Sequence, residues 1–310
     1  MKKTEGLIAA PFTPMHPDRS INLDAIEGYA HWLHQNGVVG AFICGTTGEG
    51  MSLTVDERQR IAERWVAVAP TGLQVIVHVG HVCLADCRTL GAHAASIGAD
   101  SISCLAPFFF KPYGVAGLVD WCHEIASAAP ELPFYYYHIP SMTGVLLPVI
   151  EFLELASKRI PNLAGVKYTF EDVEDCERCV QFENGRFDIL FGRDEKLLTA
   201  LEFGARGAVG STYNFAAPIY NALIDAFDRG DRAKAAELQA VAVQMIDTLI
   251  QGGPYPTATF KWFMGRVGVE CGPARLPLVG MNLEQTKALE VKLDAIKIYD
   301  RLDHLVAFRP

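Results

Sequence analysis

Lys167 ends a short apolar run, Leu163-Ala-Gly-Val166, which follows the turn signal Pro161-Asn162. Runs of this length beside turn residues read as buried strands. Burying an ammonium at the end of such a strand is costly, and desolvation lowers the lysine pKa. A neutral amine attacks carbonyl carbon and can condense to a Schiff base. On this stretch alone, a lysine that simply reaches solvent is the plainer reading. What the fold brings around Lys167 decides between the two.

Other stretches carry chemistry too. In Gly45-Thr-Thr-Gly-Glu-Gly50, three glycines surround the hydroxyls of Thr46 and Thr47. The stretch is either a plain tight turn or one whose exposed backbone N–H groups receive a carboxylate. In Tyr135-Tyr-Tyr137, strand alternation puts Tyr135 and Tyr137 on one face. Tyr137 is then an aromatic core residue or an acid–base group. Asp194-Glu195 suits the first turn of a helix, where the dipole favours acids, and each carboxylate also accepts several hydrogen bonds. His78 and His81 stand close together, but no carboxylate or third histidine accompanies them, so no metal site is expected.

The elements that must position these residues follow a regular rhythm. Strands are expected at 7–10, 38–44, 74–79, 100–105, 133–138, 163–167, 188–191 and 207–209. Helices are expected between and after them, at 23–35, 55–69, 84–97, 116–129, 147–157, 172–182, 194–203 and 216–228. Asn22 is expected to cap the first helix. Thr54 with Glu57 forms a capping box for the second. Eight βα units of this kind fit an α/β (β/α)8 TIM barrel over residues 1–230. An open doubly wound sheet is the competitor, but it normally carries a Gly-rich phosphate loop after its first strand, and Ala9-Ala-Pro-Phe-Thr13 is not one. Residues 231–310 read as a C-terminal appendage of three helices, at 233–251, 257–267 and 283–302, packed on the barrel. In barrels of this kind chemistry sits at the C-terminal strand ends. Thr46, Thr47, Tyr137, Lys167, Asp194, Glu195 and Ser211 all fall there.

Composition bounds the function. The chain has 310 residues, 50% of them hydrophobic and 20% charged, which suits one large core. A net charge of −9 argues against nucleic acid or an anionic membrane as partner. No apolar stretch is long enough to span a bilayer, and Phe12-Thr-Pro-Met-His-Pro17 interrupts any export signal, so a cytoplasmic protein is expected. Eight cysteines, Cys176-x-x-Cys179 and the Cys83/Cys87 pair among them, read as reduced structural thiols.

Taken together, Gly45-Thr-Thr-Gly-Glu49, Tyr137-His-Ile-Pro-Ser-Met-Thr-Gly144, Gly165-Val-Lys167 and Gly207-Ala-Val-Gly-Ser-Thr-Tyr-Asn214 are specific. They resemble the dihydrodipicolinate synthase/N-acetylneuraminate lyase family of pyruvate-dependent class I aldolases, over nearly the whole chain. Gly192-Arg-Asp-Glu195 and Gly210-Ser-Thr-Tyr-Asn214 are similar to the segments with which the lyase branch holds a sugar's polyol tail. Two positions depart from the synthase branch. Met142 stands where the synthases carry an arginine that pairs with the aldehyde's carboxylate, and methionine makes no bidentate ion pair. Phe109 stands where a neighbouring subunit donates a tyrosine, and phenylalanine cannot relay a proton.

The resemblance implies a reaction and its parts. Lys167 forms the Schiff base and Tyr137 assists proton transfer. Thr46 and Thr47 hold the keto acid's carboxylate, and Thr169 the C4 oxygen. Gly192, Asp194, Glu195 and Ser211 bind tail hydroxyls. The lyase branch cleaves N-acetylneuraminate reversibly to pyruvate and N-acetylmannosamine without metal or organic cofactor, as a homotetramer. Another pyruvate aldolase or synthase is the alternative, and a barrel that only binds a keto acid is a third.

Overall fold

The computed structural model describes residues 3–305, with side chains through residue 302. Met1-Lys2 at the basic start and residues 306–310 at the end of the appendage lie outside the described residues.

Eight strands run β1 (Gly6–Ala9), β2 (Val38–Ile43), β3 (Gln74–His78), β4 (Ser101–Leu105), β5 (Phe134–His138), β6 (Leu163–Tyr168), β7 (Asp188–Phe191) and β8 (Gly207–Gly210). They pair in chain order, all parallel, and β8 closes on β1 with Gly6 opposite Gly207 and Ala9 opposite Gly210. This is the TIM barrel expected from the rhythm, and closure excludes the open doubly wound sheet. Both faces of the strands are apolar because both are covered. Ile8, Phe42, Ile76, Leu105, Tyr135, Tyr137, Leu190 and Val209 fill the interior. Leu7, Ile43, Val75, Ile102, Val166 and Phe191 belong to the outer layer under the helices.

The surrounding helices are α1 (Ala25–Gln35), α2 (Val55–Val68), α3 (Leu84–Ser96), α4 (Val115–Ala126), the one-turn α5 (Pro140–Thr143), α6 (Val149–Ala156), α7 (Val173–Gly185), α8 (Leu197–Glu202) and α9 (Tyr213–Asp228). The capping box of α2 forms, with Glu57 N donating to Thr54 Oγ1 at 3.2 Å and Thr54 N to Glu57 Oε2 at 2.9 Å. Asn22 does not cap α1. Its own N–H donates to Pro14 O, and the helix starts only after Asp24. Asp194–Lys196 is a separate 3₁₀ turn before α8, which orients Asp194 independently of that helix. α9 begins three residues earlier than expected and kinks at Ala216. Pro218 has no N–H to give Asn214 O, and Trp32 Nε1 donates there instead at 2.8 Å.

The appendage contains α10 (Arg232–Ile250), α11 (Pro256–Val267), α12 (Leu283–Ala295) and α13 (Ile298–Leu305). The single last helix expected over 283–302 is thus two, broken where Lys297 takes a left-handed φ of 53°. α10 packs along α9, burying Ala235, Leu238, Ala242 and Met245.

One irregularity in β6 aims the site. Phe134 pairs with Leu163, but Tyr135 pairs with Gly165, so Ala164 is an extra residue opposite β5. Across this bulge Ala164 faces the interior, while Val166, two residues on, faces out. The switch of face turns Lys167 inward, opposite Tyr137. Gly165 is required there, because a Cβ would lie 1.8 Å from Asp188 O.

Candidate active site

The nine residues singled out above, Thr46, Thr47, Tyr137, Lys167, Thr169, Gly192, Asp194, Glu195 and Ser211, all line one cavity of about 260 Å³ at the C-terminal mouth of the barrel. A larger groove of about 730 Å³ beside α1 gathers His16, His31 and Glu270 but no amine that could attack a carbonyl.

Lys167 is 4% exposed. Its Nζ lies 3.9 Å from the ring centroid of Phe42 and 4.1 Å from that of Tyr137. Burial pulls its pKa down to about 7, against the opposing attraction of Asp194. A substantial share of the amine is therefore neutral, and nucleophilic, at neutral pH. Beside it His78 is fully buried, stacked on Phe42 and edge-on to Tyr137. Burial, then the charges of Arg58 and Lys167, hold the imidazole far below its ordinary pKa, so it stays neutral.

Tyr137 Oη lies 3.4 Å from Thr46 Oγ1. Burial pushes its pKa up to about 12, so it is a phenol at neutral pH and suits a proton relay rather than a standing base. Thr169 follows the last residue of β6, and its N–H still bonds to His138 O at 2.8 Å. Its Oγ1 is buried without a hydrogen-bond partner among the described residues, an open position for a substrate oxygen.

The 45–50 loop presents the third component. Gly50 N donates to Gly45 O at 3.0 Å and Glu49 N to Thr46 O at 3.1 Å, which closes the turn. Among the described residues, no protein acceptor takes the N–H groups of Thr46, Thr47 or Gly48. Consecutive free N–H groups with two hydroxyls make a receptor for a carboxylate.

The fourth component is acidic. Asp194 is 6% exposed, and Thr212 anchors it, with N and Oγ1 donating to Oδ2 at 2.9 and 2.6 Å. Burial raises its pKa to about 6, and the Thr212 bonds oppose the rise. Arg193 holds Glu195 by Oε1, and a further ion pair ties Arg193 to Glu171. Glu195 Oε2 has no partner among the described residues, so it is available to a ligand hydroxyl. Gly192 and Gly210 leave the space these groups occupy. A Cβ at Gly192 would fall 2.0 Å from Thr169 Oγ1, and one at Gly210 would fall 1.9 Å from Asp194 Oδ1.

The geometry therefore combines a partly neutral amine, a phenol, a turn with free N–H groups and an acidic, hydroxyl-bearing rim. The chain matches the Dihydrodipicolinate synthetase family over residues 3–296. It belongs to that family. N-acetylneuraminate lyase A of Xenopus laevis is 45% identical over 302 residues, covering 95% of this chain and 98% of that protein. The solved Proteus mirabilis N-acetylneuraminate lyase superposes with a TM-score of 0.91 at 40% identity, over 95% of this chain and 99% of that one. A solved dihydrodipicolinate synthase is more distant, with a TM-score of 0.84 at 27% identity, over 95% and 99% of the two chains.

In this family member, several groups shape the site that were not among the nine residues singled out. Ile246 and Ile250 of α10 and Thr257 and Phe260 of α11 wall the cavity from the appendage. Thr212 orients Asp194, and Phe42 and His78 desolvate Lys167. Asn214 joins the rim to the barrel, donating to Ala10 O and Ser211 O at 2.7 Å each. Met142 and Phe109 lie outside the cavity, 60% and 73% exposed. All eight cysteines are free thiols. Among the described residues no helix is long and apolar enough to cross a membrane, and no three His, Cys, Asp or Glu are grouped to hold a metal ion.

Proposed function

We propose that this chain is an N-acetylneuraminate lyase that cleaves sialic acid reversibly to pyruvate and N-acetylmannosamine. The observation that carries the reading is Lys167, a buried amine with its pKa near 7, set in one cavity with Tyr137, Asp194 and Glu195. The names of its relatives support the same substrate.

Lys167 Nζ attacks the C2 ketone of the open-chain substrate, and loss of water gives a protonated imine. The C4 hydroxyl gives up its proton through Tyr137, with the substrate's own carboxylate sharing that task. The C3–C4 bond breaks, its electrons flowing to the imine nitrogen, and the aldehyde departs. The enamine left on Lys167 is protonated at C3, and water releases pyruvate. Thr46 and Thr47 hold the carboxylate, Thr169 the C4 oxygen, and Gly192, Asp194, Glu195 and Ser211 the polyol tail. The chain's own groups suffice for this sequence. The barrel of residues 1–230 carries the active site, and the helical extension that begins at residue 231 packs on it. The protein works in the cytoplasm as a homotetramer.

The test is pyruvate release from N-acetylneuraminate by the purified protein, with a borohydride trap and intact mass alongside. Release together with a pyruvyl adduct on Lys167 is the expected result. An adduct from pyruvate without cleavage of sialic acid would move the substrate to another aldehyde. The absence of both release and adduct would overturn the reading.

A further inference from the structure

The loop that carries Thr46 and Thr47 is held from outside the barrel. Glu49, in the same loop, is buried and adopts a left-handed φ of 56°. Its carboxylate does not line the cavity that holds Lys167; it meets Lys261 of α11 instead. Lys261 Nζ donates to Glu49 Oε1 at 2.8 Å and to Pro273 O at 2.9 Å. Glu49 Oε2 accepts from Arg275 N at 2.7 Å. The two side chains of the ion pair are 1% and 0% exposed.

A pair this deeply buried is costly to desolvate, and apolar residues of the same size would often serve stability as well. What a hydrogen-bonded pair adds is direction, because each partner fixes where the other can lie. Here the fixed object is a loop of six residues. Glu49 N bonds to Thr46 O, so a shift of Glu49 shifts the Thr46 peptide. Thr13 Oγ1 holds Gly48 O at 2.6 Å from the other side. Burial lowers the Lys261 pKa, with Glu49 opposing. The appendage also grips the start of α2, the helix that follows the loop, where Arg275 donates from Nη1 and Nη2 to the Glu57 carboxylate at 2.7 and 2.5 Å.

We propose that Glu49 and Lys261 are positioning residues that hold the N–H groups of Thr46, Thr47 and Gly48 in the array that receives the keto acid's carboxylate. The appendage thereby takes part in substrate selection, since α11 both walls the cavity with Thr257 and Phe260 and pins the loop through Lys261. This rests on the Schiff-base reading of Lys167 given above.

The test compares two carbonyl compounds that differ only in the carboxylate. Cyanoborohydride trapping on Lys167 is timed with pyruvate and with acetone, in the wild type, in Glu49→Gln and in the charge-free double variant Glu49→Gln/Lys261→Met. Glu49→Gln is the gentler change, because Lys261, already depressed by burial, can shed its proton rather than sit charged and unpaired. Circular dichroism and thermal melting establish that each variant folds. The expected result is a fall of about tenfold or more in the pyruvate-to-acetone rate ratio, since the lost alignment weakens hydrogen bonds to a charged group. Acetone trapping should hold, because Lys167 and its walls are untouched. A folded variant with an unchanged ratio would overturn the proposal. So would failure of both variants to fold, which would assign the pair to the fold as a whole. Absence of pyruvate trapping in the wild type would overturn the Schiff-base reading itself, a result distinct from an unchanged ratio.

Discussion

At the scale of the residue, Lys167 links stability to reactivity through one proton. Its folded pKa of about 7 lies below the 10.5 of an exposed lysine. The stability contributed by its neutral form is complete above the unfolded value and is lost as pH falls through about 7. Lys167→Met removes that dependence while keeping most of the volume. At about pH 6 it should exceed the wild type in stability by ~5 kcal/mol, with the gap closing toward about pH 10. Urea unfolding across this range checks it, and a gap that does not vary with pH would contradict the buried amine. The same proton shapes activity. kcat/KM for the wild type should rise with pH along a limb centred near 7, as the free amine becomes neutral. Asp194 has the opposite sense, with a folded pKa raised to about 6 from 3.8. Its contribution to stability is complete below about 3.8 and is lost as pH rises through about 6.

At the scale of the element, the site depends on places where strand ends come closer than side chains allow. Gly210 closes β8 directly beneath the Asp194 carboxylate, which Thr212, two residues on, then fixes. Gly210→Ala would drive a methyl into that carboxylate and displace it. The variant should still form the pyruvate adduct on Lys167 but lose about tenfold or more in kcat/KM for sialic acid, because the charged acceptor proposed for the tail has moved. Intact mass after borohydride and a cleavage assay read the two effects separately. Full cleavage activity would show that Asp194 does not hold the tail. The bulge at Ala164 belongs to the same scale. Without it, strict alternation from the outward Leu163 would carry Lys167 to the outer face, away from the cavity.

At the scale of the whole molecule, the appendage completes both the core and the cavity. α9 buries Ile219, Tyr220 and Leu223, and α10 lies along it. Each large side chain re-exposed to water costs about 2 kcal/mol. A chain ending at Gly230 should therefore accumulate as insoluble protein, measured as the soluble fraction on expression. A soluble, folded barrel of that length would refute the dependence. The exposed Phe109, Phe110 and Tyr113 cluster on one loop after β4 and suit contact with another subunit. Sedimentation velocity should give a tetramer, and Phe109→Asp/Phe110→Asp should shift it toward smaller species. A wild-type monomer would remove that assembly.

The barrel was legible in the amino-acid order because parallel strands covered on both faces must be apolar throughout, and the helices between them must alternate. Seven of the nine residues that line the cavity stood out because hydroxyls, carboxylates, a tyrosine and a lysine are out of place at the ends of such strands, and Thr169 and Gly192 came only with the family resemblance. Local order misread Asn22 as a cap and joined the last two helices, because neither the Pro14–Asn22 bond nor the left-handed Lys297 announces itself in composition. Tertiary structure alone decided that a bulge turns Lys167 inward, that Phe42, His78 and Tyr137 strip it of water, and that Lys261 reaches Glu49 from 212 residues away. The reason is physical. A strand's period is set by neighbours along the chain, whereas desolvation and buried charge pairing depend on which distant residues close the space.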